Sequence, residues 1–512
     1  MITAQDIETV TLGNGPISIQ EVVAVARHHA QIAFSPKFEE RVLASNALVN
    51  KFVDENRTIY GVTTGFGKNV EFVIPPEQAQ ELQTNIVRSH SAAVGHPVEK
   101  EVARAIMVMH LINTGMGYSG ISLEMLTLIK DMLNENIVPY APGEGSVAYL
   151  AVEGYFAMAY IGEGMVWEDD KVKPADQVLR AHGLEPVALK YKEGLCLLNG
   201  TMSATAYSLM GIYDLDNAAE NMDLSGSLAF EALRGNIKAF DERLHSVKQH
   251  KEQHKSAEKF RQLLAHSQIM EKYEGGTVQD AYALRCTAHI HGAAKKIIGD
   301  AIHAITDELN SVSDNPIIYP EADYSDGEGL MGGNFDGSFL SLYCDSACLG
   351  ACMLAKLADK RMDRLVSADL SGFPPFLVKN SGLNNGYMIP QYTISGLFSE
   401  ISHLSTPVSV QSISTCARQE EPVSLDYLAG KKLYQIARKL KYIATLEMML
   451  SVQGIDFLSP LKPSKANAAV YHEIRKEVPE AEKDRFFHQD IEYIYGLVDS
   501  QRLVNLAQKA MD

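Results

Sequence analysis

The sequence predicts an all-α protein, a bundle of long helices with a smaller, loop-rich N-terminal region. Apolar residues recur at three-to-four spacing over long stretches, whereas strand-like alternation is sparse and short. The composition, 46% hydrophobic and 21% charged over 512 residues, can bury a large core and excludes disorder as the main business of the chain. The 64 acidic residues outnumber the 46 basic ones, for a net charge of −18. Such a surface repels phosphate backbones and anionic lipid, so the expected partner is a small molecule or another copy of the chain, not nucleic acid or a membrane.

At the N-terminus, Asp6 and Glu8 precede any basic residue and no apolar segment follows, so no signal peptide is expected. No uninterrupted apolar run is expected to cross a bilayer. Ile121, Met125, Leu128, Ile129, Met132 and Leu133 trace one buried helix face, which the segment from Asn134 to Pro139 ends. Pro186 to Leu189 carries a short strand-like alternation. Near Asn199 to Thr201, loop-rich sequence gives way to Ala/Leu-rich helices, so residues 1–200 and 201–512 are expected to form two regions of one body.

Further along, Asp241 to His266 carries His245, His250, His254 and His266 among many charges. His250 and His254 have the spacing of a metal pair, but Lys248 and Lys255 oppose a cation and the HExxH pattern is missing. A solvated helix face is expected. Cys344, Cys348 and Cys352 share one helix face and read as packing residues, so no metal is expected. Six irregularly spaced cysteines fit a reducing cytoplasm. Leu433, Ile436, Ala437, Leu440, Ile443 and Ala444 mark the core face of a last long helix. Lys431, Lys432, Arg438, Lys439 and Lys441 are expected mostly on its wet side.

The glycine clusters Gly143-Glu144-Gly145-Ser146 and Gly332-Gly333-Asn334 lack the preceding strand, and the following lysine or third glycine, of a phosphate cradle. They report tight backbone geometry instead. Other glycine-flanked segments concentrate polar and aromatic residues. Together they offer a phenol, an amide, an arginine and a carboxylate on tight loops, the parts of a proton-abstracting site. The segments YGVTTGFG (60–67), NIVRSHSAAVG (85–95), GLCLLNGT (194–201), VQDAYALRC (278–286), NSVSDNP (310–316), GGNF (332–335), SGLNNGYMIPQ (381–391) and RQEEPVSL (418–425) resemble, in order and over nearly the whole chain, the histidine and aromatic amino acid ammonia-lyase family.

The resemblance implies a homotetramer whose active sites combine loops from several subunits, and removal of ammonia from an amino acid to leave an α,β-unsaturated acid. It also implies a self-made cofactor and no external one: family members cyclise an internal Ala-Ser-Gly into methylidene-imidazolone, an electron sink. Here Gly145-Ser146-Val147-Ala148 runs directly into Tyr149-Leu150, and the onward spacing to Ile161-Gly162-Glu163-Gly164 is that of the family. The shortfall between Val147 and Leu150 matches the tripeptide that ring closure consumes. One reading is a fused residue at the Ala148/Tyr149 junction that the letters omit; the other is a true deletion and an inert helical assembly protein. The intact surroundings favour the fused residue. By resemblance Tyr60 is the base, which requires cations, hydrogen-bond donors or helix N-termini to lower its pKa. Asn199 and Tyr282 would polarise the electrophile, Arg285 would clamp the substrate carboxylate, and Gln279 and Phe335 would line the pocket.

Histidine, giving urocanate, is the expected substrate. Ser89-His90 matches the histidine enzymes, Met388 stands in a matching GYMI context, and Glu420 follows Gln419 where a carboxylate can accept an imidazole proton. Three stretches depart from those enzymes: Asp336-Gly337-Ser338 after GGNF, Glu421-Pro422 after Gln-Glu, and Tyr149 with Val152-Glu153. His90 serves a phenol equally well, so a tyrosine ammonia-lyase or tyrosine 2,3-aminomutase is the alternative.

Overall fold

The computed structural model describes residues 3–511. It is 59% helix and 8% strand, so the helical periodicity dominates as expected. Two compact units interleave along the chain. The first takes the residues through Met210, then Ile302–Cys344 and Pro407–Lys431; the second takes Gly211–Ala301, Asp345–Thr406 and Lys432 onward. The units therefore differ from a simple division near residue 200, because later segments return to the first.

All the described strands belong to the first unit. Thr9–Leu12 runs parallel to Gln31–Phe34, Val94–Pro97 pairs with Pro142–Glu144, and Ile317–Pro320 pairs with Gly327–Leu330. The widest sheet has three strands, Val138–Pro139, Met165–Glu168 and Lys171–Pro174. Pro186 to Leu189 forms no strand; Val187 and Leu189 are buried, and the Val187 amide donates to the Tyr160 carbonyl at 3.2 Å. Helix Leu123–Asn134 starts after Ile121 because Ser122 caps it, its hydroxyl accepting from the Met125 amide at 3.3 Å.

The second unit is helical, and charge burial corrects the reading of its longest helix. In Asp426–Asp456 the expected core residues Leu433, Ile436, Leu440 and Ile443 are fully buried. Lys432 and Lys441, expected on the wet side, are buried as well. Lys432 reaches Asp345 at 2.6 Å, and Lys441 reaches Asp214 and Asp499, each at 2.7 Å. A buried ammonium persists only with such partners. His245 likewise leaves the expected solvated face: it is buried, between the Ala239 carbonyl at 3.0 Å and Gln253 at 2.9 Å. Cys344 and Cys348 are buried and Cys352 is half-buried, all unbridged, on helix Ser338–Val366. By length and composition this helix could cross a membrane, but 56% of its apolar window is buried within the protein, as in a core helix.

Arg361 and Glu447 form a fully buried two-pronged pair in the second unit, at 2.5 and 2.9 Å, and the Ser225 hydroxyl donates to the same carboxylate at 2.6 Å. Removing the carboxylate strands a buried guanidinium. Glu447→Leu is expected to lower the unfolding free energy by about 3–5 kcal/mol in urea titrations monitored by circular dichroism.

Candidate active site

A cavity of about 990 Å³ opens in the first unit, walled by segments far apart in sequence. Tyr60 stands on one wall, in the turn after helix Pro36–Asp54. Gly61 takes φ 64° there, and a side chain would sit 2.6 Å from Leu195 Cδ2, so only glycine fits. The turn folds back so that the Gly67 amide donates to the Tyr60 hydroxyl at 2.9 Å. Burial nevertheless pushes the Tyr60 phenol above its ordinary pKa, the Gly67 bond pulls it back, and Glu420 and Cys416 push it up again. Of the levers expected to activate it, the Gly67 amide is the hydrogen-bond donor, and no lysine or arginine is among the described lining residues.

Asn199 caps helix Glu193–Leu198 and donates from Nδ2 to the Asn315 carbonyl at 2.9 Å. Asn315 in turn accepts the Gly332 amide on Oδ1 at 2.9 Å. These two bonds tie three remote segments into one wall. Beneath them Lys192 and Asp314, both fully buried, pair at 2.5 Å.

His90 ends helix Ala79–His90. Its Nδ1 lies 2.8 Å from the Ile86 carbonyl and 3.1 Å from the Ser89 hydroxyl, which assigns the ring proton to Nδ1 and leaves Nε2 as an acceptor. Burial holds the ring below its ordinary pKa, so it is neutral. Gln419 and Glu420 arrive on a turn in which Cys416, Ala417 and Arg418 all have positive φ, a strained run that the Thr415–Glu420 bridge closes. The Thr415 hydroxyl donates to Glu420 at 3.0 Å.

Tyr149 and Phe335 complete the set, with ring centroids 5.3 Å apart and planes tilted by 59°. Ala148 is buried outside the cavity lining, and Leu150 beside the tyrosine has φ 81°, an unusual strain for leucine. Burial and the carboxylates of Glu420, Asp426 and Asp336 raise the Tyr149 phenol far above its ordinary pKa.

The structure thus brings together Tyr60, His90, Tyr149, Asn199, Phe335, Gln419 and Glu420. Gln279, Tyr282, Arg285 and Met388 belong to the second unit. There Tyr282 is exposed, Arg285 stacks over its ring at 4.6 Å, and Arg285 Nε donates to the Asp280 carbonyl at 2.9 Å. Gln279 is exposed and Met388 starts helix Met388–Leu404. Sequence reasoning missed Asn315 and Cys416, which line the cavity. Asn315 reads as a turn residue before proline, and a lone cysteine carries no signal.

The ring expected from the resemblance has no source here. Ser146 is the one residue between Gly145 and Gly154 with a β-hydroxyl to lose. It precedes Val147 instead of glycine and lies outside the cavity lining, whereas Tyr149 and Leu150 face the cavity. The residues present do not fit methylidene-imidazolone.

Around Tyr149 the buried groups are acidic. Glu153 and Asp426 are fully buried, and burial pushes each up to about 7. Each also has one carboxyl oxygen without a partner among the described residues. In the folded chain Glu153 holds its proton above the ordinary 4.5, so the fold binds more protons than the unfolded state, and stability falls as pH rises from about 4.5 through about 7. Glu153→Gln removes that loss. Its gain in melting temperature over the parent is expected to be small at pH 5 and to grow by pH 8, by about 1–3 kcal/mol of stability.

The aromatic amino acid lyase family model matches residues 17–476. Histidine ammonia-lyase of Alkaliphilus oremlandii is 36% identical over 97% of this chain and 98% of its own length. The crystal structure of histidine ammonia-lyase from Trypanosoma cruzi superposes with a TM-score of 0.91 at 32% identity, covering 98% of this chain and 95% of that one. Tyrosine aminomutase from Streptomyces globisporus also reaches 0.91, at 28% identity and 98% and 99% coverage. The chain belongs to the aromatic amino acid lyase family, ammonia-lyase enzymes whose members use a self-made methylidene-imidazolone.

Proposed function

We propose that the cavity binds a histidine-type amino acid and that this protein carries out a 1,2-elimination on it, yielding an imidazolyl acrylic acid of the urocanate kind. The observation that carries this is Glu420. Among the described lining residues it is the only carboxylate, and no lysine or arginine accompanies it. Its charge reaches Tyr60, His90 and Tyr149 alike. The Thr415 hydroxyl satisfies one oxygen of this carboxylate; the other calls for a donor or a cation, and an imidazole supplies one that a phenyl ring does not.

In this reading the Tyr60 anion, held by the Gly67 amide, takes the β-proton on its hydroxyl oxygen; the C–H pair becomes the Cα–Cβ π bond, and the Cα–N bond breaks with its pair leaving on nitrogen as ammonia. Asn199, anchored on Asn315, orients the reacting backbone of the substrate. No step runs through methylidene-imidazolone, because its source residues are missing. A homotetramer would supply Arg285, Tyr282, Gln279 and Met388 from neighbouring copies, and exposed apolar side chains support such assembly: Phe339 is 69% exposed, Tyr392 65% and Leu383 85%. The retained site chemistry argues against an inert assembly protein. Tyrosine is the second reading, favoured by the free Nε2 of His90, which accepts a phenol proton.

Binding of substrate skeletons that lack any amine separates these readings. Calorimetry with 3-(imidazol-4-yl)propionate, 3-(4-hydroxyphenyl)propionate and 3-phenylpropionate is expected to favour the imidazole by at least about ten-fold, and Glu420→Gln is expected to erase the preference. Equal affinities, or tighter phenol binding, would overturn the histidine reading. Tyr60→Phe is expected to keep imidazole affinity within a few-fold and to lower turnover by about 10²–10⁴-fold; wild-type turnover would remove Tyr60 as the base.

A further inference from the structure

We propose that a second cavity, apart from the candidate active site, binds a small monocarboxylate with a compact apolar body, held by Arg41, and that its occupancy steadies the segment carrying Asn315. The inference does not depend on the elimination proposed above.

This cavity, of about 180 Å³, lies in the first unit, and none of its described lining residues lines the larger one. Leu12, Ile17, Phe38 and Ile112 give it buried apolar walls, with Met116 half-buried beside them. Arg41, on helix Pro36–Asp54, is the one charged residue among its described lining. A cavity of roughly 150 Å³ with apolar walls accepts a benzene ring, so the space suits a body of that size.

The guanidinium of Arg41 is half-buried and largely unspent. Its Nε donates to the Gly115 carbonyl at 2.6 Å, at the C-terminal end of helix Lys100–Thr114, and its carbon stands 5.3 Å from the centre of the Phe38 ring. The two terminal nitrogens donate to no acceptor among the described residues. Burial lowers the group's pKa, and the phenols of Tyr324 and Tyr118 act against this; no carboxylate does. Other arginines here are treated differently. Arg104, buried and likewise without a carboxylate, spends four hydrogen bonds on Val25, Leu133 and Asn136. Arg27 grips Glu101, and Arg361 grips Glu447, each with two bonds. In a chain with 64 acidic and 46 basic residues, a desolvated guanidinium left without a carboxylate calls for an anion from outside the chain.

The chemistry narrows the class. The planar fork of a guanidinium matches the two oxygens of a carboxylate. One cation balances one negative charge, so a monoanion suits the site better than a phosphate dianion. The apolar walls reward a hydrocarbon body. At the mouth, Gly13 has φ 97° and a side chain there would sit 2.4 Å from Ser35 Oγ, so the turn requires glycine. Nothing lies within 4 Å of the position a side chain on Gly15 would take, which leaves the entrance open.

The cavity is wired to the catalytic wall. Asn310, in its lining, bonds Ile17 in both directions, at 2.8 and 2.9 Å. Next to Ile112, Asn113 accepts the Ser313 amide at 2.9 Å, and the Ser313 hydroxyl accepts the Thr201 amide at 3.0 Å. The run from Asn310 to Asn315 is thus pinned to this cavity at one end and to Asn199 at the other. A ligand that bonds Arg41 and fills the space between Ile17 and Ile112 removes freedom from both anchors.

The test is calorimetry of the full-length protein with benzoate, isovalerate, benzamide and 3-(imidazol-4-yl)acrylate, with hydrogen exchange to locate each ligand. Benzoate is expected to bind once per chain and at least about ten-fold more tightly than benzamide, because only the carboxylate answers the guanidinium. Arg41→Gln and Met116→Trp are each expected to weaken benzoate about ten-fold, the first by removing the charge and the second by filling the space. Circular dichroism checks that each variant folds; Met116→Trp keeps the guanidinium and decides alone if Arg41→Gln does not fold. Benzoate is expected to slow exchange several-fold at residues 13–17 and 36–41, and also at 310–316. Absence of binding, equal affinity for benzamide, undiminished affinity in either folded variant, or protection confined to residues 60–67 and 416–420 overturns the site. Unchanged exchange at 310–316 overturns its action on the catalytic wall. A footprint of imidazolylacrylate at 13–17 as strong as that of benzoate makes the ligand the acrylate of the reaction proposed above, and a footprint from benzoate and isovalerate alone makes it a foreign acid; both uphold the carboxylate site.

Discussion

The buried pair of Lys192 and Asp314 is the constraint on which the site depends. Both side chains are fully buried and meet at 2.5 Å. Lys192 itself has φ 55° just before helix Glu193–Leu198. The pair fixes the segment around Asn315 against the start of that helix, whose other end presents Asn199. From there the Asn199–Asn315–Gly332 bonds run into the loop that carries Phe335. Loops have no ladder of their own to hold them, so an active site made of loops needs buried polar pins. A buried ion pair adds little net stability, but it tolerates one arrangement and penalises the rest.

On that frame the cavity carries an electrostatic bias. Its described walls combine aromatic rings, neutral amides and a neutral imidazole with the single carboxylate of Glu420, while the buried Asp426 acts on Tyr149 and on the buried Glu153. The strained backbone at Leu150 and at Cys416–Arg418 sits where the tyrosine and the carboxylate enter. Such strain persists only where the surroundings over-determine it, and here it aims an aromatic ring and a negative charge into one space.

How much of this the sequence disclosed depended on how local each signal was. Helix faces were legible because a 3.6-residue period repeats within one segment, as at Met125 to Leu133. Burial of Lys432 and Lys441 was not, since their acidic partners Asp345, Asp214 and Asp499 come from other helices. Tyr60, His90, Asn199, Phe335 and Glu420 were legible because each stands in an extended motif. Asn315 stands in such a motif too, NSVSDNP, but its role comes from bonds to Asn199 and Gly332 that no local pattern announces. The gap beside Ala148 reads two ways, a fused residue or a true deletion, because a fused residue leaves no letter of its own in the sequence.

Two of the three departures from the histidine enzymes then converge on one group. Asp426 acts electrostatically on both Glu153 and Tyr149. A side chain at Gly337 would sit 2.0 Å from its Oδ2, so glycine is required there. Tyr149, Glu153 and the Asp336-Gly337 pair, scattered in sequence, are therefore neighbours around a single buried carboxyl. Loss of function lets substitutions accumulate without regard to one another. A set gathered around one acid, beside Tyr60, His90 and Asn199 in a single cavity wall, has the pattern of substitutions that answer one another.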